Sequence, residues 1–379
     1  MGLIRLFLAL AVLTHHEPIL SRELLPGALS VRLFFIISGF YMALILNERY
    51  STQHKILFYS SRLLRLFPGY LAIAALSLLA LLLMDIHPFI TREDIEALRW
   101  ESPGTIIIAG LSNLLILGQN LFFLFDSNPE SGLSFTPCAD CPTLGFWLLL
   151  IPQAWSLAVE LGFYLLAPFI VNRHPLLLIL LFSCSLTLHL SIVAWVPDGD
   201  NIAHHTLLPQ LHLFIMGALS FRLVPLARHL PRILGLAGLP LLLTLLCTYQ
   251  SMTITWKYPL MAMILAVSIP FIFESMRHAR WDRLIGELSY PLYISQFLVI
   301  AVFDHLLGEP NPLWVLIGVC CLGTTIYILI DLPIARFKSK RLLAQLVIPR
   351  SREKQELFVP ILVSQGPSEI ELTHEQQKM

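Results

Sequence analysis

The chain has 379 residues, 56% of them hydrophobic and only 13% charged, with a mean hydropathy of +0.74. Soluble domains carry about 25% charged residues, so a water-soluble globule is excluded and a polytopic membrane protein is indicated. Its 25 basic and 25 acidic side chains cancel, which argues against a nucleic-acid partner.

The chain opens with "RLFLALAVLTHHEP", Arg5 to Pro18. A basic residue ahead of an apolar run resembles a signal peptide, but no small-residue cleavage pattern follows. Instead the run ends in His15, His16 and Glu17. Apolar runs long enough to cross a hydrocarbon core of about 30 Å lie at 3–20, 28–46, 64–84, 144–171, 175–195, 207–224, 232–250, 257–274, 285–306 and 312–335. A further apolar stretch lies at 104–125.

Lys and Arg gather in cytoplasmic loops. With the N-terminus inside, 20 of the 25 basic residues fall on the inner side. Residues 101–172 contain no Lys or Arg, while Asp126, Glu130 and Asp140 occur there. Were 104–125 a crossing, this acidic loop would be cytoplasmic and every later basic loop would face out. The expected architecture is therefore an all-α membrane helix bundle with about ten transmembrane helices and both termini cytoplasmic. The stretch 104–125 would return to the side it left, as a re-entrant or packed segment. Residues 1–337 form the transmembrane domain and 338–379 a flexible cytoplasmic tail.

Cys138 and Cys141, in "TPCADCPT", form a CxxC in an expected outer loop. They are either a disulfide in an oxidising compartment or two thiols. A zinc site needs further ligands, and none is evident in the sequence nearby. No metal is expected.

Ionisable groups inside a bilayer are costly and usually functional. At 1.5 Å per residue, His16 lies about 16 Å beyond Arg5, Glu160 about 18 Å from the inner end of its span, and Gln296 about 16 Å into its own. Three polar side chains from three helices are thus expected in one mid-membrane layer. For Gln296 an interhelical packing contact explains the placement equally well. Eleven residues bring Arg5 and His16 to the same helix face. Arg62 and Arg65, three apart, share a face as well. They serve either as positive-inside anchors or as a phosphate clamp, since guanidinium groups grip phosphate with paired donors.

Six motifs in order resemble the acyltransferase-3 family of multi-span membrane proteins. They are Arg5 and His16; "LFFIISGF" from Leu33 to Phe40; Arg62 and Arg65 followed by Pro68; "WSLAVE" from Trp155 to Glu160; "SYPLY" from Ser289 to Tyr293; and Asp331 with Pro333. The chain departs from the family at Gln296, where a histidine is usual, and at Arg32, where many members have a carboxylate. The esterase-like extra domain of some members is not expected in these 379 residues.

The resemblance implies an O-acyltransferase moving an acyl group, most simply acetyl, from cytoplasmic acyl-CoA to a hydroxyl. The acceptor would be a carbohydrate or lipid-linked glycan, and the location a bacterial inner membrane. It implies that His16 is catalytic with Glu160 orienting or stabilising it. Arg5, Arg62 and Arg65 would bind the CoA phosphates. Ser38, Trp155 and Gln296 would shape the substrate cavity, and Gly39 would permit close helix approach. Glu17 is a weaker candidate and His15 an outer-surface bystander. The rival readings are a secondary transporter, against which the lack of an internal repeat argues, and a non-catalytic member acting as a partner protein.

Overall fold

A computed structural model describes residues 1–17, 23–48, 55–128, 132–136, 145–308 and 311–337. Its helices are α1 (Gly2–His16), α2 (Gly27–Glu48), α3 (Lys55–Met84), α4 (Arg92–Glu101), α5 (Pro103–Leu115), α6 (Trp155–Ile170) and α7 (Pro175–Trp195). They continue with α8 (Gly199–His205), α9 (Leu207–Phe221), α10 (Val224–His229), α11 (Arg232–Cys247), α12 (Lys257–Met276), α13 (Arg280–Leu307) and α14 (Pro312–Ile326). One antiparallel hairpin, β1 (Phe125–Asn128) with β2 (Gly132–Phe135), follows α5. The chain divides into two compact units, Met1–Asp331 and Leu332–Met379. Of the second, only 332–337 are described, and they are helical. The expected tail from 338, and both Cys138 and Cys141, lie outside the described residues.

The protein is an integral membrane helix bundle. Among the described residues, eight helices are long and apolar enough to cross a membrane. The window of α7 has a mean hydropathy of 2.4, yet only 11% of it is buried. Such a helix is stable where its outer face meets lipid. The eight coincide with eight of the ten expected runs. The other two, 3–20 and 232–250, form helices of only 15 and 16 residues. These reach about 22–24 Å, short of a core of about 30 Å. Helix α1 stops because Glu17 turns extended, at φ −139° and ψ 97°.

The stretch 104–125 is not one helix. α5 ends at Ile116, whose φ of 64° is left-handed, and Gly118 follows at φ 80°. The chain then coils through a short 3-10 turn, Gln119–Leu124. Buried hydrogen bonds secure the break: Tyr70 Oη donates to the Asn113 carbonyl at 2.7 Å, and Gln119 Nε2 donates to Tyr70 Oη at 2.6 Å. The segment returns to its start. A Cβ at Gly132 would lie 2.6 Å from Oγ of Ser102, the residue that precedes α5. The hairpin thus packs back against the start of α5.

Glycines set the closest helix contacts. A Cβ on Gly39 would fall 1.9 Å from the Phe214 carbonyl oxygen, and one on Gly217 would fall 1.9 Å from that of Ile36. Helices α2 and α9 thus touch backbone to backbone, as expected for Gly39. Gly2 of α1 meets Gly286 of α13 in the same way. There the Asp282 carboxylate accepts from the backbone N–H groups of Gly2 and Leu3, at 2.9 and 3.0 Å. It satisfies donors that a helix start leaves open, and so anchors the first turn from which Arg5 projects.

Candidate active site

Five helices surround a cavity of about 90 Å³. Four of them present residues three or four apart, the spacing of one helix face, and α1 contributes Arg5. From α2 come Phe34, Ser38 and Tyr41; from α6, Ser156, Glu160 and Tyr164; from α13, Ser289, Tyr290 and Tyr293. Arg62 and Arg65 enter from α3, and Arg5 from α1.

Glu160 lines the cavity and is held by two hydroxyls. Its Oε1 accepts from Ser38 Oγ and from Tyr164 Oη, both at 2.6 Å. Arg62 is buried, at 5% exposure, with Nη2 donating to Ser61 Oγ at 3.3 Å. Arg5 stands in the combined field of Arg65, Tyr41 and Glu160. The lining therefore carries three guanidinium groups against a single carboxylate, an excess of positive charge in a confined space. Asp331, in the π-helical turn Tyr327–Asp331, stands off the lining beside Gly69 and within the field of Arg65.

Hydrogen bonds tie α13 to the start of α6 beside the cavity. Tyr293 Oη donates to the Gln153 carbonyl at 3.0 Å and pairs with Ser156 Oγ at 2.9 Å. Gln153 Nε2 in turn donates to the carbonyls of Tyr293 and Ile294, each at 3.1 Å.

The structure thus brings together Arg5, Arg62, Arg65, Ser38 and Glu160. It does not bring His16, Trp155 or Gln296 onto that lining. The expected layer of His16, Glu160 and Gln296 is not formed, because the helices differ in register. Glu160 sits level with Ser38 and Tyr164. Gln296 is buried against α1 two turns before His16, where its Nε2 donates to the Ala9 carbonyl at 2.9 Å. His16 caps the far end of α1 with its ring 4.6 Å from that of Phe297, and it makes no hydrogen bond to a described residue. His15 pairs with Glu23 at the same end.

Trp155 and His16 are linked by a belt of rings. Trp155 meets Phe123 at 5.8 Å, Phe123 stacks on Phe146 at 4.4 Å, and Phe146 meets Phe89 at 5.3 Å. Phe89 then meets Phe297 at 5.7 Å, and Phe297 meets His16. Sequence reasoning missed this belt, since its members come from separate connections and helices. It also missed Tyr41 and Tyr164. A signal for both existed: they follow Ser38 and Glu160 by three and four residues, on the same faces. Among the described residues, no group of three His, Cys, Asp or Glu side chains is placed to hold a metal.

Fold and site together define an integral membrane protein whose helices enclose an arginine-rich cavity. The acyltransferase domain family matches residues 3–332, nearly the whole chain. The protein belongs to this acyltransferase-3 family, and is a membrane acyltransferase in that general sense. No curated protein and no solved structure shows a significant match.

Proposed function

We propose that the protein transfers an acyl group, acetyl in the simplest case, from cytoplasmic acyl-CoA to a hydroxyl of a carbohydrate or lipid-linked glycan in a bacterial plasma membrane. One observation carries this reading: three arginines share a cavity with a single carboxylate. A polyphosphorylated donor supplies the missing negative charge, and guanidinium groups meet phosphate oxygens with paired donors. The distribution of basic residues supports a cytoplasmic arginine end, on the side where acyl-CoA is found.

His16 is the proposed general base. It lies about 16 Å along α1 from Arg5, a separation that a donor with a long arm bridges. As the acceptor oxygen attacks the thioester carbonyl, the new C–O bond forms and the C–S bond breaks. The acceptor proton passes to the imidazole and then to the departing thiolate. With no hydrogen bond to a described residue, the ring keeps both nitrogens for this task. Glu160 belongs to the donor side. Its carboxylate offsets part of the arginine charge and fixes Ser38 and Tyr164.

Thiol release from acetyl-CoA by the reconstituted protein tests the reading. Free CoA should form with a hydroxyl acceptor present and should vanish in His16→Ala. A carrier would move solute without cleaving the thioester, and a non-catalytic partner protein would do neither.

A further inference from the structure

Arg32 of α2 follows Val31, a residue of the cavity lining, and has histidine and tyrosine neighbours in place of a carboxylate. Its Nε donates to Nδ1 of His204 at 3.3 Å, and its guanidinium carbon lies 5.1 Å from the centroid of the Tyr258 ring. Its charge also reaches His189, His205 and His212. The acid in that neighbourhood is Asp200, which acts on His189. Arg32 forms no ion pair among the described residues.

The hydrogen-bond inventory is unbalanced toward donors. A guanidinium has five N–H groups and no acceptor. One is engaged by His204 and another by Tyr258; the rest meet no acceptor among the described residues. By accepting at Nδ1, neutral His204 must carry its proton on Nε2, which adds one more donor. Burial, with the charges of His205 and Arg32, holds His204 well below the ordinary imidazole range, so the ring is neutral. Beside them, Nδ1 of His189 is buried without a hydrogen-bond partner among the described residues.

A half-buried cation with idle donors is costly unless an anion completes it. Arg32, His189 and His204 are each partly exposed at the protein surface. Trp155 lies edge-on to His204 at 4.8 Å and touches Phe35, which lines the arginine cavity. Trp155 itself is buried, at 7% exposure, so its ring braces His204 from behind.

We propose that Arg32 and His204 bind an oxyanion, the carboxylate or phosphate of an acidic sugar, with the buried Trp155 ring holding His204 in place. Naming that sugar as the acceptor rests on the acyltransferase reading; the anion site does not. The site selects acceptors by charge.

Titration calorimetry of the full chain in nanodiscs reads the site without turnover. The probes are glucose, glucuronate, glucose 6-phosphate and inorganic phosphate. Glucuronate and glucose 6-phosphate should bind at least about tenfold tighter than glucose, in keeping with charge-assisted hydrogen bonds. Inorganic phosphate should compete with both. Arg32→Gln should abolish the preference, and Arg32→Lys should restore only part of it, since an ammonium lacks paired donors. Equal binding of glucose and the acidic sugars by the unmodified protein overturns the proposal without reference to any variant. So does a well-folded Arg32→Gln protein that keeps the preference. If no acceptor yields free CoA, the acyl-transfer reading fails while the calorimetric result stands. If neutral and acidic acceptors are acylated with equal KM, the charge selection fails and acyl transfer survives.

Discussion

The side-chain amide of Gln296 donates to the main-chain oxygen of Ala9 at 2.9 Å, joining α13 to α1 inside the bundle. The side chain is 1% exposed, and its own carbonyl oxygen has no hydrogen-bond partner among the described residues. A histidine is usual here in the family, yet the position faces a neighbouring backbone and stands off the cavity lining. Gln296→Leu removes one interhelical hydrogen bond, worth about 0.6 kcal/mol on average in a membrane protein. It also removes the unpartnered carbonyl. Thermal unfolding in detergent should show a destabilisation below about 1 kcal/mol, with CoA release retained. A well-folded Gln296→Leu protein without activity would assign the amide a role in substrate binding.

The arginines and His16 should separate kinetically. Phosphate contacts are made in ground and transition states alike, so Arg62→Ala and Arg65→Ala should chiefly raise the KM for acyl-CoA. Lysine should be a poor replacement for either. A general base acts at the reacting centre, and its loss costs on the order of 10²–10⁴ in rate. His16→Ala should therefore stay inactive at saturating donor while still binding CoA. Steady-state kinetics with a CoA-binding assay checks both halves. Near-normal turnover in His16→Ala would remove the imidazole from the chemistry.

The α2–α9 contact should tolerate no side chain. Gly39→Ala and Gly217→Ala each place a Cβ 1.9 Å from a backbone oxygen, so the helices must part. Overpacking of this kind costs about 1–3 kcal/mol or more. Gly110 offers the contrast: it is helical, and a Cβ there meets nothing within 4 Å. Gly110→Ala should stabilise α5 by up to about 1 kcal/mol. Melting temperatures of the three variants, measured side by side, should move in opposite directions.

Stability should fall on acidification. His205, between α7 and α9, is 8% exposed, and burial brings its imidazole down to about 4 from an ordinary 6.5. The unfolded chain then takes up the proton at a higher pH than the folded one. The stabilisation is complete above about 6.5 and is lost as pH falls from there toward 4, a difference of roughly 3 kcal/mol for this residue. His87 shows the same displacement to about 4. Unfolding midpoints measured from pH 7.5 to 4.5 should decline, and His205→Gln should flatten the decline.

Membrane residence, the all-helical class and the family were legible because each depends on local composition or on short motifs. Apolar runs report lipid without any knowledge of neighbours, and "WSLAVE" or "SYPLY" can be read in place. The break inside 104–125 was not legible: a left-handed Ile116 and Gly118 and the Tyr70–Gln119 hydrogen bond divide the stretch.

Depth along a helix was a poorer guide. Counting residues from the inner surface put His16, Glu160 and Gln296 in one layer, because it treated every helix as starting from the same plane. Helix register is decided by contacts between helices: Gly2 on Gly286, Gly39 on Phe214, Gly217 on Ile36, and Asp282 on the first turn of α1. These contacts lower Glu160 to the arginines, bury Gln296 against Ala9, and leave His16 at the far end. Pairing across long sequence separations is likewise beyond local pattern. Ser38 and Glu160 are 122 residues apart, and Arg32 and His204 are 172 apart. The sequence by itself determined which residues are polar inside an apolar chain. Only the packed bundle decided which of them meet, because close approach of helices, not position along the chain, sets which side chains share a cavity.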